Sequence, residues 1–239
     1  MRAFFQVVFS GAMLMAGCAR TSEPETQVVK MQRERMVDQI EAYGVRSTSV
    51  LDAMRKVRRH VYIPEGFGRV LDPYGDHPCP IGYGQTISQP FIVAYMTEKV
   101  APQAGEKILE IGTGSGYQAA ILAEMGAEVY SIEIVAELAA HARKVLAAEG
   151  YGQVKVLAGD GYQGWPDHAP FDVIIVTCAP ESIPAALVQQ LKEGGRMILP
   201  VGGDVHTQRL VILRKQEGNI VQQDDLMVRF VPMVKGRED

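Results

Sequence analysis

The chain is 239 residues long, 47% hydrophobic, 22% charged and 7% aromatic, with 24 Gly, 13 Pro and 3 Cys, a composition that excludes a disordered chain, a collagen-like repeat and a disulfide-stapled mini-domain. Its 24 Lys+Arg against 28 Asp+Glu leave a net charge of −4, which argues against a protein that grips nucleic acid by neutralising phosphates. The length lies at the upper end for one hydrophobic core, so the placement of motifs decides between one domain and two.

From Ala3 to Ala19 no residue is charged, Arg2 precedes the run, and the run ends Leu14-Met15-Ala16-Gly17-Cys18. A basic start, an apolar middle short for a bilayer span and small residues before a cut have the layout of a secretory signal. The ending resembles a bacterial lipoprotein box, with Met15 where that box usually carries Leu, Val or Ile. Residues 1–17 are therefore expected to be a signal peptide and Cys18 a lipid-modified first residue, anchored at the bacterial envelope and facing the periplasm. Residues 18–27 are polar, contain Pro24 and read as a tether. The competing reading is a translation start at Met31 or Met36. Residues 28–239 then form the remaining domain, with Cys79 and Cys178 expected as two buried free thiols.

Residues 28–43 space Val28, Met31, Met36, Ile40 and Tyr43 three to five apart, predicting a helix with one apolar face that Gly44 ends. Residues 47–57 repeat the pattern, with Ser47 or Thr48 as cap and Val50, Leu51, Met54 and Val57 inward. Residues 62–89 are rich in Gly, Pro and aromatics without periodicity, and long irregular stretches inside a compact domain are usually functional. From Lys107 strands alternate with helices: strand 107–111, a glycine-rich turn and a helix to about 125, strand 128–133, helix 135–148, strands 154–159 and 171–177, helix 184–191, strand 196–201. That alternation predicts an α/β fold, a doubly wound and mostly parallel sheet with helices on both faces, behind an N-terminal helical extension. Residues 209–215 and 226–234 read as two further strands joined by a Gly218-Asn219 turn.

Glu110-Ile111-Gly112-Thr113-Gly114-Ser115-Gly116 stands where the first strand of this series turns into a helix, at the sheet edge where ligands of open parallel sheets collect. Glycines there permit a sharp turn and close ligand approach, although many such turns are glycine-rich for steric reasons alone. Glu133 ends the next strand, seventeen positions past Gly116, and is placed to accept hydrogen bonds from two ribose hydroxyls. Gly159-Asp160-Gly161 ends the third strand, where Asp160 either receives an adenine amino group or serves an ordinary Asp-Gly turn. The dinucleotide fingerprint is Gly-x-Gly-x-x-Gly; here the third glycine comes one position early and Glu110 stands two residues before the first. A carboxylate so placed repels a pyrophosphate but can pair with the cationic amino group of a methionine moiety. The loop thus favours S-adenosyl-L-methionine over NAD, with Glu110, Glu133 and Asp160 as its polar candidates.

Residues 108–123 (ILEIGTGSGYQAAILA), Glu133, residues 158–165 (AGDGYQGW) and residues 169–180 (APFDVIIVTCAP) closely resemble the protein-L-isoaspartate O-methyltransferases, the bacterial ones in particular. Residues 80–98, 191–202 and 228–236 are similar to the same family, so the resemblance spans about residues 30–236, and Gly-Gln-Thr-Ile-Ser-Gln-Pro (84–90) is its most specific part. Two departures are the exported-looking N-terminus, since the family is normally cytoplasmic, and Cys178, where alanine is usual. The resemblance implies the Rossmann-like class I S-adenosylmethionine-dependent methyltransferase fold and methyl transfer to the free carboxylate of L-isoaspartyl residues in damaged proteins and peptides, whose ester then closes to a succinimide. It also implies Ser88 as catalytic residue and Gly112, Gly114, Glu133, Asp160 and Gly161 as cofactor-binding positions, which with Glu110 and Thr113 make up the expected cofactor-binding set. Thr86 and Ile87 are expected to form the lip of the substrate site with Ser88, and Arg229 to Pro232 to pack beneath or beside it. Ser88 equally reads as a helix cap before Gln89-Pro90. Tyr83 and Trp165 read as packing residues and Cys178 as narrowing the pocket. A monomer is expected.

A carboxylate is already ionised at pH 7, so attack on a sulfonium methyl group needs no base. The five His (60, 77, 141, 168, 206) show no helical ligand pairing, and no metal is expected. Catalysis then rests on positioning and exclusion of water, with Ser88 orienting the carboxylate; a strong cationic clamp would stabilise the ground-state anion more than the charge-dispersed transition state. Two other readings are a methyltransferase for another carboxylate acceptor and an exported lipoprotein that binds aged peptides without turnover, because the cofactor is made in the cytoplasm.

Overall fold

The computed structural model describes residues 25–65, 72–204 and 207–236; the signal peptide expected over residues 1–17, Cys18 and His206 lie outside them. Helix α1 (Gln27–Ala42) buries Met36, Val37 and Ile40 together with Arg33, and Thr26 caps it by accepting the Val29 N–H at 3.3 Å. Glu25 neutralises Arg33 through both carboxylate oxygens, so packed structure already begins inside the stretch read as a tether. Helix α2 (Thr48–Lys56) buries Val50, Leu51, Ala53 and Met54. Its Ser47 makes no side-chain cap bond; Glu98 takes the Arg46 and Ser47 N–H groups instead, each at 2.6 Å.

The irregular stretch contains a small hairpin, β1 (Cys79–Gly82) with β2 (Gln85–Ile87), and leads into α3 (Pro90–Val100). Tyr83 and Gly84 at its tip have φ of 55° and 71°, the two positive values that a tight hairpin turn of matching twist requires. Tyr83 is consequently 62% exposed and is not the packing residue expected, because the tip of the hairpin projects it into solvent.

The main sheet comprises β3 (Lys107–Ile111), β4 (Glu128–Glu133), β5 (Lys155–Ala158), β6 (Phe171–Val176), β7 (Leu191–Val201), β8 (Arg209–Gln216) and β9 (Asn219–Met227), in the order β5-β4-β3-β6-β7-β8-β9. The first five are mutually parallel, and β8 and β9 add an antiparallel edge. Buried side chains alternate between two faces, as a period of two demands. Ile108, Val129, Val173 and Ile175 meet residues of α1, α2, α3, α4 (Tyr117–Glu124) and α5 (Ala136–Ala148). Leu109, Ile111, Ile132 and Ile174 meet Leu187 of α6 (Ala185–Gln190) and the aromatic group of Tyr130, Trp165 and Phe171. Both faces are therefore covered, which explains why β3, β4 and β6 read as nearly continuous apolar runs.

Two strand boundaries differ from expectation. Strand β7 starts at Leu191, which pairs with Phe171 before a register shift. The last strand is Asn219–Met227 rather than 226–234. Its polar residues suit the outermost strand of the sheet, whereas the largely apolar residues 228–234 leave the sheet and cross its carboxyl edge as a strap, where Pro232 bridges Ala179.

Candidate active site

Strand order reverses between β3 and β6, and in open parallel sheets the crevice beyond that point is where ligands bind. Here it is floored by the turn after β3, in which Gly112, Gly114 and Gly116 have φ of 95°, 51° and 89°, values that side-chain-bearing residues rarely adopt. A Cβ on Gly112 would lie 2.6 Å from Thr177 Oγ1, and the Thr177 hydroxyl is itself engaged with the Ile111 and Gly112 carbonyls at 3.0 and 2.7 Å. Glu133 ties the end of β4 to this turn by accepting the Gly114 N–H at 2.7 Å on one oxygen and the Val135 N–H at 3.0 Å on the other. Each oxygen keeps a lone pair for a second donor.

These groups wall a cavity of about 760 Å³, its open mouth included, to which the hairpin contributes Thr86, Ile87 and Ser88 and the strap contributes Met233 and Val234. Glu110, Gly112, Thr113, Gly114, Glu133 and Gly161 all line it, so the structure gathers the two sets of residues proposed from sequence around one space. Asp160, expected with them, is set back from the wall. Its Oδ1 accepts the Tyr162 N–H at 2.8 Å and its Oδ2 the Gly236 N–H at 3.1 Å, so the carboxylate serves its own turn and the end of the strap. Cys178 lines the cavity as expected; Cys79 is buried, whereas Cys178 is half-buried rather than buried, because it faces the cavity. Burial, reinforced by Glu133 and Glu110, pushes the Cys178 thiol up to about 12, which leaves it a neutral filler.

Among the described residues lining this wall, Glu110 and Glu133 are the only acidic side chains and there is no Lys, Arg or His. Glu110 is completely buried. Its Oε2 accepts the hydroxyl of Ser131, which is also hydrogen-bonded to the Thr113 hydroxyl, while its Oε1 has no partner among the described residues. Burial, opposed by the Ser131 hydrogen bond and reinforced by Glu133, pushes the Glu110 carboxyl up to about 8. An orphaned buried oxygen, two carboxyl groups and a glycine floor fit a cationic amino-acid sulfonium with a ribose; a pyrophosphate would meet the Glu133 carboxylate and no cation among the described residues of this wall.

A second, wider cavity adjoins the first, lined by Pro78, Gln89, Ile92 and residues 227–232, and the two share Thr86, Ser88, Thr177, Val231 and Pro232. Arg229 to Pro232 thus stand beside the site, as expected. Ser88 is not the cap of α3: that position is Gln89, and Asp76 caps the helix from another segment. Among the described residues no hydrogen bond engages the Ser88 hydroxyl. The sequence reading passed over Ser131, Gln208 and Asp76. A polar residue at the centre of a buried strand was the available signal for Ser131. Gln208, fully buried, holds the strap by exchanging hydrogen bonds with the Phe230 backbone at 2.6 and 3.1 Å, a contact across 22 residues that no local pattern announces.

Comparison with known proteins agrees with this geometry. The family described as Protein-L-isoaspartate(D-aspartate) O-methyltransferase matches residues 31–238. A protein-L-isoaspartate O-methyltransferase of Gloeobacter violaceus is 56% identical over 201 residues, covering 84% of this chain and 97% of that protein. Protein-L-isoaspartate O-methyltransferase 1 of Nitrosospira multiformis is 45% identical over 228 residues, covering 95% and 96%. A solved Plasmodium falciparum structure, described as a beta-aspartate methyltransferase in complex with S-adenosyl-L-homocysteine, superposes with a TM-score of 0.76 at 25% identity, covering 85% of this chain and 99% of that one. With a family match over residues 31–238 and close relatives covered almost end to end, the chain belongs to the protein-L-isoaspartate(D-aspartate) O-methyltransferase family.

Proposed function

We infer that this chain methylates the free carboxylate of L-isoaspartyl residues in damaged proteins and peptides, with S-adenosyl-L-methionine as cofactor, and that Ser88 orients that carboxylate. The observation that carries the assignment of Ser88 is its place at the junction of two cavities with its hydroxyl unengaged. When bound, the cofactor supplies a methyl group on a positively charged sulfur. Glu110 would hold its amino group on the oxygen that now lacks a partner, Glu133 its ribose hydroxyls, and Gly112, Thr113, Gly114 and Gly161 its close contacts with the backbone. Asp160 acts at one remove, by holding the turn at Gly161 and the strap.

The wider cavity receives the peptide. Thr86 and Ile87 form its lip towards the cofactor, and Ser88 donates a hydrogen bond to one carboxylate oxygen, leaving the other to react. An already ionised carboxylate needs no base, and because Arg229, the one cation among the described residues lining the wider cavity, is not among the residues the two cavities share, the carboxylate at the junction is not over-stabilised before the transition state. The strap and hairpin exclude water from the junction. Losing a hydrogen bond to a charged group costs about 1.5–3 kcal/mol, so Ser88→Ala should lower kcat roughly 10- to 100-fold while S-adenosyl-L-homocysteine affinity is unchanged. Transfer of a radiolabelled methyl group to an isoaspartyl peptide, set against its normal aspartyl twin, tests the activity itself. Equal transfer to both favours another carboxylate acceptor, and binding without transfer favours a non-catalytic peptide-binding role.

We also propose a lipid anchor at Cys18, a periplasm-facing envelope location and a monomeric state. The charge-free run that ends Leu14-Met15-Ala16-Gly17-Cys18 supports the first two. Intact-mass measurement of protein from its native host separates a lipidated Cys18 from a start at Met31 or Met36, and sedimentation reads the monomer.

A further inference from the structure

Helix α3 begins at Pro90, which has no N–H, so Phe91 supplies the first backbone donor of its opening turn. Its N-cap, Gln89, makes no side-chain cap bond. Both needs are met by one carboxylate from a separate segment: Asp76 Oδ1 accepts the Phe91 N–H at 2.9 Å and Asp76 Oδ2 accepts Gln89 Nε2 at 2.8 Å. A negative charge there is also favoured by the helix dipole. The residues so fixed directly follow Ser88. On its other side Ile87 pairs with Cys79 in the hairpin, and Cys79 lies three residues after Asp76. Ser88 is therefore gripped from both directions by the single segment 76–79.

That segment is itself anchored from behind. Arg59 is fully buried; its Nε donates to the Pro73 carbonyl at 2.8 Å and its Nη2 to the His77 carbonyl at 3.3 Å. Its guanidinium lies 5.1 Å from the ring centroid of Tyr117, which lines the cofactor cavity. A Ser, Thr or Asp at position 89 would cap α3 locally. A remote carboxylate instead ties the start of α3 to the segment that Arg59 anchors.

We propose that Asp76 is a positioning residue of the methyl transfer, holding Ser88 at the junction of the two cavities, with Arg59 as its anchor. This rests on the reading of Ser88 given above. The test uses the full chain as wild type, Asp76→Ala, Asp76→Asn, Ser88→Ala and the Asp76→Ala/Ser88→Ala double variant. Initial rates of radiolabelled methyl transfer to an isoaspartyl peptide, calorimetric affinity for S-adenosyl-L-homocysteine and Tm are measured on each.

Asp76→Ala is expected to lower kcat about tenfold or more with cofactor-product affinity within about twofold of wild type. Asp76→Asn keeps an acceptor for the Phe91 N–H and can pair with a rotated Gln89 amide, so it should recover most of the rate. Because Asp76 acts through Ser88, the double variant should be no slower than Ser88→Ala alone. If Asp76→Ala does not fold, Gln89→Ala removes the Oδ2 contact while leaving the cap, and its smaller loss of kcat should vanish in the Ser88→Ala background. A wild-type kcat for Asp76→Ala, a loss that multiplies with that of Ser88→Ala, or a parallel loss of cofactor-product affinity would overturn the proposal. A wild-type rate for Ser88→Ala would overturn the reading of Ser88 and this proposal together, whereas a slow Ser88→Ala beside an unaffected Asp76→Ala overturns this one alone.

Discussion

Glu110 holds a proton in the folded chain that it would lose in the unfolded one, because burial pushes its carboxyl from the ordinary 4.5 up to about 8. The folded state therefore binds more protons between those values, and the stability contributed by this group is fully present below about pH 4.5 and is lost as pH rises towards 8. The slope is at most about 1.4 kcal/mol per pH unit. Denaturant midpoints of wild type and Glu110→Gln between pH 5 and 8 should diverge accordingly, the neutral amide removing the decline. Ligand binding runs the other way. A cationic amino group favours the ionised carboxylate, so S-adenosyl-L-homocysteine affinity measured by calorimetry should rise from pH 6 to 8 in wild type and stay low and flat in Glu110→Gln. Cys178, with its thiol pushed up to about 12, should resist iodoacetamide at pH 8, which mass spectrometry of the digested protein reads.

Turns set the geometry that strands and helices only support. Gly112 has φ of 95° and no room for a Cβ beside Thr177, while a Cβ on Gly161 would lie 2.4 Å from Ile111 Cγ2. Gly112→Ala and Gly161→Ala should each cost about 1–3 kcal/mol in urea unfolding and weaken S-adenosyl-L-homocysteine binding, since relief of either clash shifts the floor of the cavity. These turns were readable in sequence because glycine leaves a visible mark where backbone is forced. The same local logic misassigned residues 228–234 as strand and Tyr83 as packing. Apolar content alone does not distinguish a strand from a strap laid over a sheet edge, and a hairpin tip exposes whatever residue stands there.

Across the whole molecule, residues separated by most of the chain meet at one sheet edge. The strap closes the cofactor cavity with Met233 and Val234 after the last strand has ended at Met227. Deleting residues 231–239 should therefore leave the far-ultraviolet signature of the sheet while cutting S-adenosyl-L-homocysteine affinity at least about tenfold (on the order of 1.4 kcal/mol), measured by calorimetry. The sequence by itself determined the alternation of strands and helices, the glycine turn, Glu110 and Glu133, because periodicity, forced backbone and charge are local properties written in neighbouring residues. Only the tertiary structure decided that Asp160 also holds Gly236 at the end of the strap, that Asp76 and not Ser88 caps α3, and that Gln208 holds the strap. Each of those depends on which segments the sheet order brings within hydrogen-bonding reach, and a distance of 3 Å between residues far apart in the chain has no counterpart in their spacing along it.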